Sequence, residues 1–235
     1  WADRVSATNG DRVRLYVSTT AARFRVEAYR MGWYGGRGAR LVWRSPSLPG
    51  RRQPPPTLTA GTDRVATRWR RSLTIAVGPD WVPGDYLLKL VTATGQRYVP
   101  LTVRDDASRA ALVVQNAVTT WQAYNPWGGR SLYVGPGGSL ETRSRVVSFD
   151  RPYDAAGSGA GDYLGNEHPL VRLVESLGLD VTYWTDIDLH QHPGRLLAHR
   201  ALVSLGHDEY WSTRMRRGAE AARAHGINLA FLGAN

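Results

Sequence analysis

The sequence predicts a multidomain chain: an all-β module of immunoglobulin-like β-sandwich type over residues 1–104, then an α/β module with a parallel sheet over residues 105–235. Three observations predict this. Up to residue 104, apolar residues recur at every second position in short stretches broken by Gly, Pro and Ser/Thr turns. Beyond residue 109 the stretches become continuous apolar runs that alternate with helical spacings. Between the two lies the polar linker RDDASR, residues 104–109.

In the first module, Val13, Leu15 and Val17 alternate with polar residues, and after a Ser-Thr-Thr turn Phe24, Val26 and Ala28 alternate again, which predicts a half-buried hairpin. A short strand is expected at residues 41–43, a loop in the Pro-rich stretch 46–60, and further alternating strands at 72–77, 86–92 and 98–103. Seven or so short strands at turn spacing, with no helical period, point to a sandwich.

In the second module, strands are expected at residues 110–114, 145–149, 181–184, 201–205 and 227–232. Helices are expected at 169–177, stopped by Gly178, at 193–199, and from a Ser212 or Thr213 cap to about His225, with Gly226 as C-cap. Strand and helix in alternation imply right-handed crossovers and a parallel sheet. The sequence ends at Gly233-Ala234-Asn235, where a parallel strand delivers a loop, so the sheet is expected to be incomplete at its C-terminal side.

The composition narrows the chemistry. With no cysteine, a thiol nucleophile, a thiolate metal site and a disulfide are all excluded. No run approaches the ~20 apolar residues of a membrane helix. No signal peptide is visible, and the chain starts at Trp1, so the expected localisation is soluble, either cytoplasmic or secreted after loss of a leader. The net charge of +10 divides unevenly: residues 1–104 carry 18 Lys and Arg against 6 Asp and Glu, and residues 105–235 carry 12 against 14. The basic excess is almost wholly arginine, with Lys89 the sole lysine, and is spread over many strands. It reads as a solvated basic surface rather than a nucleic-acid interface.

Ligands of open α/β sheets bind beyond the carboxyl ends of the strands. Four such segments are rich in chemistry. The first, residues 115–133, carries Trp121, Tyr124, Asn125 and Trp127, and is too long and too aromatic for a simple connection. The second follows residue 149: Asp150 and Arg151 form a candidate pair, Tyr153 a candidate ligand contact, and the Gly- and Ala-rich run 156–161 a candidate flap. The third, residues 185–190, spaces Asp186, Asp188 and His190 two apart. The fourth is Gly206-His207-Asp208-Glu209-Tyr210-Trp211, where extended backbone puts His207 and Glu209 on one side, able to share a cation or to divide metal binding and proton transfer. His168, His199 and His225 stand at expected helix ends and read as structural.

Several separated motifs, taken in order, carry a resemblance. They are residues 29–36 (YRMGWYGG), 81–90, 121–133, 147–153, 186–190 and 206–212. Together they resemble the large (β) subunit of bacterial N,N-dimethylformamidase and the wider family sharing its C-terminal domain. The resemblance implies a catalytic domain similar to class I glutamine amidotransferases, working without a cysteine, and a hydrolase of C–N bonds in small amides. It implies a mononuclear non-haem Fe(III) held by two tyrosinates and a glutamate, with a histidine two residues before the glutamate. Matched by motif, the metal ligands become Tyr124, Tyr153 and Glu209, with Tyr163 the competitor for the second tyrosine, and the catalytic histidine becomes His207. Trp121, Asn125, Trp127 and Asp188 are expected to contact substrate. A further catalytic acid of the family falls beyond Asn235. The implied partners are a small amide substrate, a small partner subunit and a homo-oligomer, with no nucleic acid and no membrane.

Two alternatives remain open. One is a non-catalytic glycan- or polyanion-binding protein, in which the β-sandwich and the aromatic loop hold the ligand and the α/β part is a silent scaffold. The other is a zinc hydrolase using His190, His207 and Glu209.

Overall fold

The structure is a computed structural model and describes residues 1–233. Ten strands precede residue 105: β1 (Ser6–Thr8), β2 (Arg12–Leu15), β3 (Arg23–Met31), β4 (Ala39–Arg44), β5 (Leu48–Pro49), β6 (Thr57–Thr59), β7 (Arg64–Ala66), β8 (Leu73–Ala76), β9 (Gly84–Val91) and β10 (Gln96–Arg104). β1, β10, β9, β3 and β4 lie side by side in that order, with β5 added against β3. All these pairs are antiparallel except β1 with β10. β2 pairs with β8, and β6 with β7.

The alternation does what its period requires. Val13, Leu15 and Ile75 from the β2–β8 pair share one core with Phe24, Val26, Tyr86, Leu88, Leu101 and Val103 from the larger sheet. Each such side chain, once buried, contributes about 1.5–3 kcal/mol. The expected hairpin of residues 13–28 does not form. β2 pairs with β8 and β3 with β9, so the two strands face one core from different sheets. Alternation fixes which side is buried, not which strand is the neighbour. The Pro-rich stretch 46–60 is mostly loop, yet contributes β5 and β6.

Four strands follow: β11 (Leu112–Asn116), β12 (Val181–Thr185), β13 (Ala201–Gly206) and β14 (Asn228–Gly233). They form one all-parallel sheet in the order β12-β11-β13-β14. Four α-helices accompany them: α1 (Val118–Tyr124), α2 (His168–Ser176), α3 (Asp186–Gln191) and α4 (Thr213–Ala224). Ser212 caps α4 by accepting from the Met215 amide, 3.1 Å away, and Gly226 ends it at φ +88°. Residues 193–198 form the expected short helix as a 3₁₀ turn. Ala234 and Asn235, expected to lead from the last strand into a loop, lie outside the described residues. Among the described residues no helix is long and apolar enough to cross a membrane.

The strand expected at residues 145–149 is absent. Its backbone is drawn instead to the antiparallel part: the Arg145 amide donates to Thr62 O at 2.7 Å, and Asp150 O accepts from the Thr67 amide at 2.7 Å. Residues 125–167 are thus one long excursion between α1 and α2. The Gly- and Ala-rich run expected as a flap is packed: Ala160 is buried, and a Cβ on Gly159 would meet Tyr98 O at 2.7 Å.

Residues of β3 and β9 also pack on the α/β elements. Met31 and Leu87 join Ala117, Val118, Trp121 and Tyr163 in a second core. Two ion pairs reinforce the contact: Arg30 with Glu175 of α2 at 2.7 Å, and Arg104 with Asp188 of α3 at 2.6 Å.

Candidate functional site

β11 and β13 are neighbours in the parallel sheet, so the segments after them meet above its carboxyl edge. β11 continues through Ala117 into α1, which carries Tyr124 at its last turn. β13 ends at Gly206, whose φ of +61° turns the chain sharply, and any Cβ there would collide with Asn166. His207 to Tyr210 are then fixed by α1: the Thr120 hydroxyl accepts from the amides of Glu209 and Tyr210, at 3.0 and 3.1 Å.

Glu209 is the centre of the arrangement. The Tyr124 hydroxyl donates to its Oε2 at 2.5 Å, and the Tyr133 hydroxyl donates to its Oε1. His207 Nε2 lies 3.0 Å from Oε2. Tyr210 donates to the Tyr133 hydroxyl at 2.8 Å. The rings of Tyr124 and Tyr133 stack with centroids 4.1 Å apart, and Tyr124 also packs against His207 at 4.5 Å. Burial alone would push the Glu209 carboxyl up, but hydrogen bonds from Tyr124, Tyr133 and His207 outweigh it and hold the group below the usual glutamate range. Burial first, and then the bond to Glu209, pushes both phenols above the ordinary tyrosine value.

Tyr133 reaches Glu209 because the loop after α1 folds back on the helix. The Leu132 amide donates to Ala123 O at 2.9 Å. Arg151 clamps that loop from below. It is 1% exposed, and it bonds Gln122 O, Asn125 O, Trp127 O and Arg130 O at 2.9–3.2 Å and Gln122 Oε1 at 3.2 Å. Burial pulls its guanidinium down to about 10. The expected Asp150–Arg151 pair is therefore replaced by a cation held on carbonyls that bracket Tyr124 in the chain. Those carbonyls include the free end of α1, whose dipole favours a positive charge.

The expected site residues divide. Tyr124 and His207 both lie against Glu209. Tyr153 and Tyr163, the two candidates for the second tyrosine, instead set their rings edge-on against Trp121 at 6.2 and 6.3 Å, while Tyr133 occupies the place beside Glu209. Trp121 is buried and donates from Nε1 to Glu167 at 3.0 Å. Asn125 is spent on its own loop, donating to Pro152 O and accepting from the Trp127 amide. Trp127 packs edge-on against Trp69. Trp121, Trp127, Tyr153 and Tyr163 line a cavity whose wall includes neither Tyr124, Tyr133, His207 nor Glu209.

Asp188 does not reach the site. Buried at 3% exposure, it closes the capping box of α3 with Thr185 and takes the Arg104 guanidinium and the Ser6 hydroxyl. A carboxylate so committed has no oxygen left for a substrate. His190 turns to Ser212 Oγ at 2.8 Å, so His190, His207 and Glu209 do not gather, and among the described residues no three His, Cys, Asp or Glu side chains form a metal cluster. Three further histidines serve structure: His199 meets Ala110 O, His168 meets Gly38 O, and His225 meets Ala221 O at the end of α4.

Sequence reasoning missed Tyr133, Tyr210 and the clamping role of Arg151. All three lie in segments singled out as rich, but only the loop's return onto α1 selects them.

The family described as N,N-dimethylformamidase beta subunit-like, C-terminal, matches residues 25–235. No curated protein matches the chain at a significant level. A crystal structure of an uncharacterized protein from Bacillus anthracis str. Ames shares 11% identity, over 42% of this chain and 75% of that one, with a TM-score of 0.27.

Proposed function

Because the chain belongs to the N,N-dimethylformamidase beta subunit-like family, we propose that it is a metal-dependent hydrolase of C–N bonds in small amides, with a single iron ion held by Glu209, Tyr124 and Tyr133. The observation that carries this reading is the convergence of two phenol oxygens on the two oxygens of one carboxylate. Three hard oxygen donors gathered at one point, without a thiol, suit a hard ferric ion. We read the antiparallel part as an immunoglobulin-like sandwich domain and the parallel part as a domain resembling class I glutamine amidotransferases.

When bound, the ion supplies Lewis acidity toward the amide carbonyl. The chain's own residues do the rest. His207, 3.0 Å from Glu209, holds a ring nitrogen where it can take a proton from attacking water or return one to the leaving amine. Tyr210 orients Tyr133 through its hydroxyl. Thr120 fixes the backbone of both Glu209 and Tyr210. Arg151 holds the loop that returns Tyr133 to the end of α1, beside Tyr124. The small partner subunit and homo-oligomer belong to the same proposal.

The test is hydrolysis. The iron-loaded full chain is incubated with N,N-dimethylformamide, formamide and acetamide, and amine release is followed. The reading expects turnover of at least one amide, lost in His207→Ala with iron retained. An iron-loaded protein that releases no amine from any of them contradicts it.

A further inference from the structure

Of the three ionisable residues spaced two apart after β12, Asp188 serves Arg104 and His190 serves Ser212, which leaves Asp186. It opens α3 and is fully buried. Its Oδ2 meets α1, accepting from the Thr119 amide at 2.9 Å and bonding the Thr119 hydroxyl. The same hydroxyl lies 2.7 Å from Tyr210 O. Tyr210 follows Glu209 in the chain, and its phenol donates to Tyr133 at 2.8 Å. A run of bonds thus leads from Asp186 through Thr119 to the segment that carries Glu209. Thr120 holds that segment by its amides and Thr119 holds it by a carbonyl, so two successive hydroxyls of α1 fix it.

The protons in this run can be counted. A threonine hydroxyl has one hydrogen to give, and a carbonyl oxygen has none. The Thr119 hydroxyl therefore donates to Tyr210 O. The hydrogen between Thr119 and Asp186 then belongs to Asp186, and an ionised carboxylate has none to offer. The surroundings agree. Burial pushes the Asp186 carboxyl well above the usual aspartate range, against the bonds from Thr119. Two titratable groups face it. Asp208, from the segment after β13, adds to the rise by like charge, and Tyr153, from the long excursion, is a buried phenol itself pushed up. Asp208 commits Oδ2 to two donors, the Ser204 hydroxyl at 2.6 Å and the Gln115 amide at 3.0 Å. Of the two carboxyls, Asp208 acts as acceptor and Asp186 as donor.

We infer that Asp186 is a positioning residue of the site: a neutral acid that donates to the Thr119 hydroxyl, so that Thr119 donates to Tyr210 O and fixes the segment bearing Glu209. It acts through Thr119 and Tyr210, not on substrate. Its consequence for a metal rests on the iron reading; its proton and its hold on Tyr210 do not.

The test compares the full wild-type chain with Thr119→Val, Thr119→Ser and Asp186→Asn. The infrared difference between wild type and Asp186→Asn at neutral pH should show the carbonyl stretch of a protonated carboxyl group. If Asp186→Asn fails to fold, the difference against Thr119→Val serves, because removing its acceptor shifts the same band. Amide hydrogen exchange over residues 206–212 should quicken by about tenfold or more in Thr119→Val and stay near wild type in Thr119→Ser, with β9 and β10 unchanged in both. In iron-loaded protein the tyrosinate-to-iron absorption should shift in Thr119→Val and return in Thr119→Ser. A carboxylate stretch in place of the acid band would overturn the inference. So would unchanged exchange in Thr119→Val, equal quickening in Thr119→Ser, or an absorption that Thr119→Val does not move. A wild type that takes up no iron would sink the iron reading alone, and the infrared and exchange results would still decide on Asp186.

Discussion

The ring of Tyr133 lies stacked on that of Tyr124, centroids 4.1 Å apart and planes 21° from parallel. The pair therefore presents two hydroxyls side by side to Glu209, nine residues of chain having folded back to place them. Which tyrosine accompanies Tyr124 is the point on which geometry and motif matching differ, and it is open to a direct test.

Tyr133→Phe keeps the stacked ring and removes the bond to Glu209 and the one from Tyr210. The fold should survive, at a cost of about 1 kcal/mol. Metal affinity should fall by about tenfold or more, and the visible tyrosinate-to-iron absorption should weaken, with Tyr124 left as the one tyrosinate. Tyr153→Phe should leave that absorption unchanged. Absorption spectra of the two variants beside wild type decide the matter, and the reverse pattern would return Tyr153 to the site.

Arg151 is expected to matter through geometry rather than charge. Arg151→Ala strands four carbonyls that Arg151 now serves, and should cost about 3–5 kcal/mol. Arg151→Lys keeps the charge but cannot span the same acceptors, so it should cost nearly as much. Denaturant unfolding of both checks this, and a near-neutral Arg151→Lys would show that charge alone is what counts.

Asp85 should impose a pH dependence on stability. Burial pushes its carboxyl up to about 6 against an ordinary 3.8, with the bonds from Asn116 and Thr102 opposing. A raised acid favours the protonated fold, so the contribution is full below about 3.8 and is lost as pH rises through about 6. Relative to Asp85→Asn, wild type should lose roughly 3 kcal/mol between pH 3.5 and pH 7. Urea titrations at several pH values measure the difference, and parallel curves would contradict it.

Gly206→Ala should disturb the site from behind. The residue sits at φ +61° and its added Cβ would press on Asn166. A cost of about 2–4 kcal/mol is expected, together with weakened metal binding, since His207 and Glu209 follow directly. Thermal unfolding and metal titration of the variant check both parts.

Much of this was legible in the residues. The change from alternation to continuous apolar runs near residue 104 separates a mainly antiparallel part before it from an all-parallel sheet after it. Gly206-His207-Asp208-Glu209 stood out because ionisable residues follow a buried strand. What was not legible has one common cause: it depends on how distant segments return. The β2 and β3 patterns are right, but their partners are β8 and β9. Residues 145–149 look like a strand, but the Arg145 amide bonds Thr62 and the adjoining Asp150 carbonyl bonds Thr67. Asp188 looked like a site carboxylate because its partner Arg104 is 84 residues away. Tyr133 was overlooked because nothing local says that residue 132 bonds back to residue 123.

The account stands or falls on Glu209 as the anchor of a metal. The measurement is iron per chain by elemental analysis, in wild type and Glu209→Ala expressed side by side in iron-replete medium. The account predicts about one iron per wild-type chain, lost in the variant while the fold is retained. A folded wild type without iron, or a Glu209→Ala chain that keeps it, would contradict the account.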